Sequence, residues 1–291
     1  MPRIEHYQQR VNAVVNHVAR SLNTTHSIDE LAAVAHLSKF HFHRVFSAIT
    51  GETVAQMVNR LRLEGAAATL LYSKHRTITE IAFDHGYSSA ANFTKAFTRY
   101  FNCPPSVYRK EHDRTPLLSK NGKARQGAIS DNVQHDKQVN IVEQPELELA
   151  YLRHTGPYKH DGLARLHSQV QQWVSNGNYQ ATENMNIGIT WSDSHIAAEE
   201  RWRYDACFAV KKGTRGSGPI SIQTLPRARV AQLSVSFDAG KGFDLSPHWN
   251  WFVGHWLMNS EHVLNDSPSY EIYDQTEPER QFELRLCLPL A

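Results

Sequence analysis

The sequence predicts a multidomain chain: an all-α double helix-turn-helix domain over residues 1–114 and an α+β domain of two pseudo-symmetric βαββ units over 139–291. Three observations lead there. A helical motif starting at Ser27 recurs at Thr77, strand and helix patterns recur twice after Val139, and the charge changes sign between the halves. A chain of 291 residues fits two domains at roughly 100–200 residues each.

The first half reads element by element. Tyr7, Val11, Val14, Val18 and Leu22 recur at helical spacing and predict an amphipathic entry helix. Ser27-Ile28-Asp29-Glu30 is a capping box, a hydroxyl followed three positions on by a carboxylate. Leu31, Val34 and Ala35 carry that helix, Leu37 and Ser38 interrupt it, and Ser38 can cap a second helix with Phe42 and Phe46 on one face. Gly51 closes it. The second copy begins with the capping box Thr77-Ile78-Thr79-Glu80, turns at Gly86-Tyr87-Ser88, and starts its second helix at Ser89 with Phe93 and Phe97. Short helix, tight turn and second helix with buried aromatics is a helix-turn-helix. Between the copies, Thr53–Tyr72 shows Val54, Met57, Val58, Leu61, Ala68 and Leu71 at mostly helical intervals. Twenty helical residues span about 30 Å, close to the 34–36 Å between successive major-groove entries on one face of DNA.

Charge supports the division. Residues 1–114 carry 14 Lys/Arg against 9 Asp/Glu, whereas 139–291 carry 13 against 18. A basic first half suggests that this half meets a polyanion. Ser119–Gln138 is polar and aperiodic, so 115–138 reads as a linker. The three cysteines, Cys103, Cys207 and Cys287, have no metal-ligand spacing and do not make a disulfide framework. His41 and His43 lie two apart, which on a regular helix points them about 200° apart, so they do not share an ion. No metal, cofactor, membrane span or signal segment is expected, and a cytoplasmic location is.

At these residues the sequence resembles the AraC/XylS family of bacterial transcription regulators. The resemblance covers about residues 7–112 and is carried by Leu31-Ala32-x-x-Ala35-x-Leu37-Ser38, Phe42-x-x-x-Phe46 and Gly51. In the second copy it is carried by Ile81-Ala82-x-x-x-Gly86-Tyr87, Asn92-Phe93-x-x-x-Phe97 and Pro105-Ser106-Val107-Tyr108-Arg109. It implies two recognition helices in adjacent major grooves of double-stranded DNA, the first presenting Lys39, Phe40, His43 and Arg44. The second would present Ala90, Ala91, Asn92 and Lys95, with Arg99 and Lys110 suited to phosphates. Arg44 can pair bidentately with guanine and Asn92 with adenine. Ala90 and Ala91 offer contact with thymine methyl groups or none. The chain departs from common relatives at Phe40, where tryptophan is frequent, at Lys95, where some have arginine, and at Asn102, where glycine is usual. Asparagine tolerates the left-handed backbone region, which makes the last change mild.

The second half reads as strand, helix, strand, strand, twice. Val139–Leu152 contains a strand, Gly162–Val174 is a helix, and Ile187–Trp191 and Tyr204–Lys211 are strands. Ile220–Phe237 resumes the first strand, Ser246–Met258 the helix, and Tyr270–Tyr273 and Phe282–Leu288 the last two. Cys207 and Cys287 then fall in equivalent strands, as buried small apolar residues. The glycine-rich Gly213–Gly218 stretch lacks the context of a nucleotide loop and reads as the link between units. Two such units leave a cleft, and aromatics crowd its elements: Tyr158, Trp191, Tyr204, Trp249, Trp251, Trp256, Tyr270 and Tyr273. Each can be core or pocket.

His154-Thr155-Gly156-Pro157-Tyr158, Tyr204-Asp205-Ala206-Cys207 and Pro268-Ser269-Tyr270-Glu271-Ile272-Tyr273 resemble the gyrase-inhibitor-like (GyrI-like) ligand-binding domain. That resemblance implies a pocket for amphipathic, often cationic, aromatic compounds, with Glu271 as its carboxylate and Tyr158, Trp191, Tyr204, Trp249, Trp256 and Tyr273 as walls. Alternation puts Glu271 and Tyr273 on one face of their strand and Tyr270 and Ile272 on the other, without choosing which faces the pocket. The expected function is therefore a DNA-binding transcription regulator with a small-molecule effector, not an enzyme. Two alternatives stay open. In one the second half hydrolyses its ligand, with Glu271 and Tyr273 or Tyr158 doing acid–base work, although no activated nucleophile is visible. In the other it is an interaction module on a constitutive DNA binder, contacting RNA polymerase or a second copy.

Overall fold

The computed structural model describes residues 2–73, 75–113, 139–158, 160–181, 184–193, 196–238, 244–265, 267–273 and 281–291. The linker expected at 115–138 lies outside these residues. The chain divides into two compact units, Met1–Leu117 and Leu118–Ala291. No helix among the described residues is long and apolar enough to cross a membrane.

The first unit is all helical: α1 (Pro2–Ala19), α2 (Ile28–Val34), α3 (Lys39–Thr50), α4 (Val54–Tyr72), α5 (Ile78–Asp84), α6 (Ala90–Phe101) and α7 (Pro105–Asp113). Both expected capping boxes form, Ser27 with Glu30 and Thr77 with Glu80, and a third, Thr53 with Gln56, starts α4. Each satisfies two backbone N–H groups that a helix leaves unpaired at its start. Phe42, Phe46, Phe93 and Phe97 are fully buried, each pair holding its second helix against its own core. Burying one such ring contributes about 1.5–3 kcal/mol. Gly51 and Asn102 end α3 and α6 in the left-handed region, so Asn102 does what glycine does at the equivalent turn.

The two turns solve one problem differently. Gly86 has φ +75°, and His36, its counterpart in the first motif, has φ +51°. Only glycine adopts this region without a steric penalty. Arg10 donates to the His36 carbonyl at 2.7 Å, which pins the strained turn.

Among the described residues, the second unit is an eight-stranded antiparallel sheet with two α-helices and a short 3-10 turn at Glu199–Arg201. Its elements are β1 (Asn140–Gln144), β2 (Leu147–Thr155), α8 (His160–Asn176), β3 (Asn186–Thr190), β4 (Arg203–Val210), β5 (Ser221–Leu225), β6 (Ala228–Asp238), α9 (Ser246–Trp251), β7 (Ser269–Tyr273) and β8 (Gln281–Leu290). Strand order is β1-β6-β8-β7-β3-β4-β2-β5. Each half thus opens with two strands where the alternation pattern predicts one. Pro145 and Pro226 make the break, since proline offers no N–H to a ladder. The Gly213–Gly218 stretch lies between β4 and β5, joining the halves as expected.

Those breaks also force the sheet to curl. β1 and β2 lie six strand positions apart yet are joined by Pro145 and Glu146 alone, and β5 and β6 likewise by Pro226 and Arg227. In a flat sheet six intervals measure about 29 Å, while so short a link reaches about 10 Å. The curl is visible in one apolar cluster that draws Leu225 and Val230 from the ends and Ile187, Ile189, Tyr270 and Ile272 from the middle. Only the concave side of a curled sheet lets these meet. Cys207 and Cys287 are buried there as free thiols.

On the other face α8 covers Ala150, Phe208 and Val210, while α9 covers Leu233, Val235, Leu284 and Leu286. The helix expected over Ser246–Met258 is α-helical only to Trp251, becomes a π-turn over Phe252–Trp256, and ends as a 3-10 turn. Val253 and Gly254 are poor helix formers.

Candidate functional site

In the first unit the outward faces of α3 and α6 are candidates for contact with nucleic acid. Phe42 and Phe46 turn one side of α3 inward, which leaves Lys39, Phe40, His43 and Arg44 exposed. Phe40 is 85% exposed, an unusual position for a large apolar ring. Lys39 forms an ion pair with Asp29 on α2 at 3.2 Å, so its charge is shared with the neighbouring helix. His41 packs its ring on Tyr7, with centroids 5.3 Å apart.

On α6, Ser89 accepts from the Asn92 backbone N–H at 3.2 Å and orients the first turn. Ala91, Asn92, Lys95 and Arg99 are exposed, and an open surface is lined by Ala90, Ala91, Thr94, Lys95, Thr98 and Arg99. Thr94 and Thr98 were not expected there. Their spacing from Ala90 and Ala91 is the signal that would have found them. A helix with cations and hydroxyls on one open face can lie in a major groove.

In the second unit a polar cluster sits on the helix-covered face, at the middle of the sheet. Glu271 on β7 is 6% exposed. Tyr273 donates to its Oε2 at 2.5 Å and the Trp249 indole to its Oε1 at 3.2 Å. The hydroxyls of Tyr204 and Tyr273 lie 3.1 Å apart, and His167 Nε2 on α8 is 2.8 Å from the Tyr204 hydroxyl. His167 Nδ1 reaches the Asn186 side chain at 2.6 Å. Tyr158 stacks edge-on to Tyr204 and donates to the Arg203 carbonyl at 3.0 Å.

Burial sets the electrostatics. Desolvation raises the Glu271 carboxyl above its ordinary range, against the opposing hydrogen bonds from Tyr273 and Trp249. Desolvation likewise pushes His167 down to about 4, so the imidazole is neutral near pH 7. Tyr204 and Tyr273 are both held protonated, by burial first and the Glu271 charge second. The cluster therefore centres on one carboxyl, lined by hydroxyls and rings, with no cation hydrogen-bonded to it among the described contacts. Such a carboxylate is costly to bury alone and suits a cationic guest.

Of the expected walls, Glu271, Tyr273, Tyr204, Trp249 and Tyr158 come together. Trp256 packs into the same apolar cluster as Trp249 and Tyr273, whereas Trp191 lies apart. Trp191 donates to Asp205 Oδ2 at 2.7 Å, beside the buried Arg153–Asp205 ion pair. Asp205 is adjacent to Tyr204 on β4, and strand alternation puts it on the opposite, concave face. Trp256 stacks on His262 and packs against Phe252. His167, Asn186 and Gly188 were not anticipated. A Cβ at Gly188 would lie 2.0 Å from the Tyr204 hydroxyl, so this glycine makes the room that Tyr204 occupies.

The fold and the site define a two-part chain, a helix-turn-helix unit followed by a unit built round a buried carboxylate. Residues 31–111 match the family model described as a helix-turn-helix domain, and residues 137–291 match the GyrI-like small molecule binding domain. The chain belongs to the GyrI-like small-molecule-binding family and carries a helix-turn-helix domain before it. An uncharacterized HTH-type transcriptional regulator of Bacillus subtilis, YbfP, is 36% identical over 104 residues, 36% of this chain and 35% of that protein. The probable transcription factor PqrA of Proteus vulgaris is 37% identical over 83 residues, 28% of this chain and 67% of that protein. A crystal structure of an AraC-type regulator from Chromobacterium violaceum is 23% identical, with a TM-score of 0.34 over 36% of this chain and 93% of that one. The chain spans about a third of the length of the first curated relatives it matches.

Proposed function

We propose that the protein is a sequence-specific DNA-binding regulator whose second unit senses an amphipathic, cationic small molecule. Its organisation would be residues 1–114 for DNA, 115–138 as linker and 139–291 for the effector. The reading of the first unit rests on two exposed helices, α3 and α6, held by equivalent capped motifs. They would enter adjacent major grooves of an asymmetric site, with Arg44 and Asn92 reading bases. Lys39, His43, Lys95 and Arg99 would position the duplex, and Phe40 and Ala91 would lie against it.

The single observation carrying the ligand reading is Glu271: a carboxylate 6% exposed, bonded by Tyr273 and Trp249 and linked through Tyr273 to Tyr204 and His167. The palindromic strand order supports a pseudo-dyad between β3 and β7, which puts this carboxylate at the centre of two ββαββ halves. A cation would offset the cost of burying the anion, and the rings would add about 0.5–2 kcal/mol of cation–π attraction. Effector and DNA would be coupled by typically 1–3 kcal/mol.

The test is selection of genomic fragments by the purified protein at physiological salt, followed by titration with aromatic cations. A discrete asymmetric site, with an affinity that shifts on adding a cation and stops shifting in Glu271→Gln, is the expected result. Sequence-blind binding that no cation alters would overturn it.

A further inference from the structure

We infer that His17, His26 and Glu30 form a binding site for a divalent transition-metal ion, of which Zn2+ is the best match, at the junction of α1 with the first helix-turn-helix. The site is outside both surfaces described above, and sequence spacing gives no hint of it.

His26 carries the inference. Its side chain is 3% exposed, and its Nε2 lies 2.9 Å from the Ser21 carbonyl, which can only accept. That contact places a proton on Nε2, so in the neutral ring Nδ1 is the free lone pair. Nδ1 is buried without a hydrogen-bond partner and stands 3.6 Å from Glu30 Oε1, another acceptor. With the ring neutral, a buried acceptor and the more exposed Glu30 carboxylate face each other, and a cation between them would satisfy both. His17 Nε2, from the last turn of α1, is 2.8 Å from the same carboxylate oxygen.

The three donor atoms lie within 4.8 Å of one another. Ligands about 2.1 Å from a tetrahedral ion stand about 3.4 Å apart, so small side-chain rotations suffice. Two imidazoles and one carboxylate suit Zn2+ and leave a fourth position for water, whereas Ca2+ and Mg2+ prefer sets of oxygens. The outer contacts are those of a metal ligand: His26 donates its other ring N–H to a backbone carbonyl.

Glu30 serves two ends with two oxygens. Its Oε2 accepts from the Ser27 backbone N–H in the capping box, while Oε1 faces the histidines. An ion here would tie α1 to the start of α2 and fix the intervening loop. Arg62 of α4 grips that loop through the Leu22 and Thr24 carbonyls. Metal occupancy would thus stiffen the seat of the first helix-turn-helix.

The experiment uses the untagged full chain, stripped with a chelator, with Zn2+ titrated against a chromogenic competitor and Co2+ read by absorption. Glu30→Gln is the decisive variant, because glutamine keeps the capping box and removes the charge. One site per chain is expected, with tetrahedral Co2+ bands and a rise in melting temperature on adding Zn2+. Removing a partner of a metal ligand weakens binding about 10–100-fold, so Glu30→Gln, His26→Gln and His17→Gln should each lose at least about tenfold. Circular dichroism of each variant confirms that it is folded. Binding that survives all three substitutions, or an octahedral Co2+ spectrum unchanged by them, belongs to other histidines and overturns the site.

Discussion

Gly188 and Glu271 stand directly opposite each other where β3 pairs with β7, the two central strands of the sheet. One position carries no side chain and the other the buried carboxylate. The space left open at Gly188 is taken by the Tyr204 hydroxyl, which reaches across β3 toward Tyr273 and so joins the Glu271 cluster. A small residue on one strand thereby allows a polar network on the next.

Gly188→Ala should break this arrangement. The new methyl would meet the Tyr204 hydroxyl at 2.0 Å and its ring at 2.7 Å, so the tyrosine must move. Overpacking of this kind costs about 1–3 kcal/mol. Denaturant unfolding should show that loss, and fluorescence titration with an aromatic cation should show weakened binding. An unchanged midpoint would mean that Tyr204 has room to spare.

Glu271→Gln should separate stability from binding. The folded state raises this carboxyl above its unfolded value, so its proton is favoured by folding. Stability from that preference is present at low pH and lost as pH rises through the unfolded value toward the folded one. At a pH above the raised carboxyl value, removing the charge should therefore raise the melting temperature of the free protein, each 1 kcal/mol regained appearing as about 2–4 °C. Cation binding should disappear in the same variant.

The affinity for a cationic ligand should depend on pH with a defined sign. Protonated Glu271 must release its proton to receive the cation, so affinity should climb as pH rises through the raised carboxyl value and level off above it. The groups bonded to this carboxyl are Tyr273 and Trp249, with Tyr204 and Tyr158 near enough to feel its charge and His167 bonded to Tyr204. With the tyrosines raised by burial and His167 neutral, none supplies a competing transition near pH 7. Calorimetry in buffers of different ionisation enthalpy would measure the proton release directly. A flat profile across the acidic range would remove Glu271 as the ligand's partner.

The two proposed recognition helices should respond differently to loss of charge. Arg44→Ala on α3 should cost about 1–3 kcal/mol and relax specificity at one position. Arg99→Ala on α6 should weaken every sequence alike and reduce the salt slope by about one. Binding assays over a salt series, on the selected site and on scrambled DNA, distinguish the two. Equal losses on both DNAs for Arg44→Ala would deny it a base contact.

The two turns also make a contrast. Gly86→Ala would place its Cβ 2.7 Å from the Arg62 guanidinium, which is tethered to Leu22 and Thr24. That clash, added to the left-handed backbone, should destabilise by more than about 1 kcal/mol. His36→Gly removes a side chain from the same backbone region and should stabilise by up to about 1 kcal/mol. Thermal unfolding of the two variants should move in opposite directions.

By itself the sequence determined whatever local chemistry specifies. Capping boxes at Ser27 and Thr77, aromatic pairs at Phe42/Phe46 and Phe93/Phe97, and the glycine at 86 are short-range signals, and each forms as its neighbours dictate. The alternation of Glu271 with Tyr270 and Ile272 was equally legible, because a strand has only two faces. Which face carries the site was not legible, since that depends on where α8 and α9 pack. The curl followed from two prolines but showed itself only once the strand order was known. Trp191 and Tyr204 look alike as cleft aromatics in one dimension, yet the sheet puts them on opposite faces. His17 and His26 meet Glu30 only because a loop folds back between two helices. Local propensity names the elements; long-range packing decides which side chains share a space, because that choice depends on residues far apart in the chain.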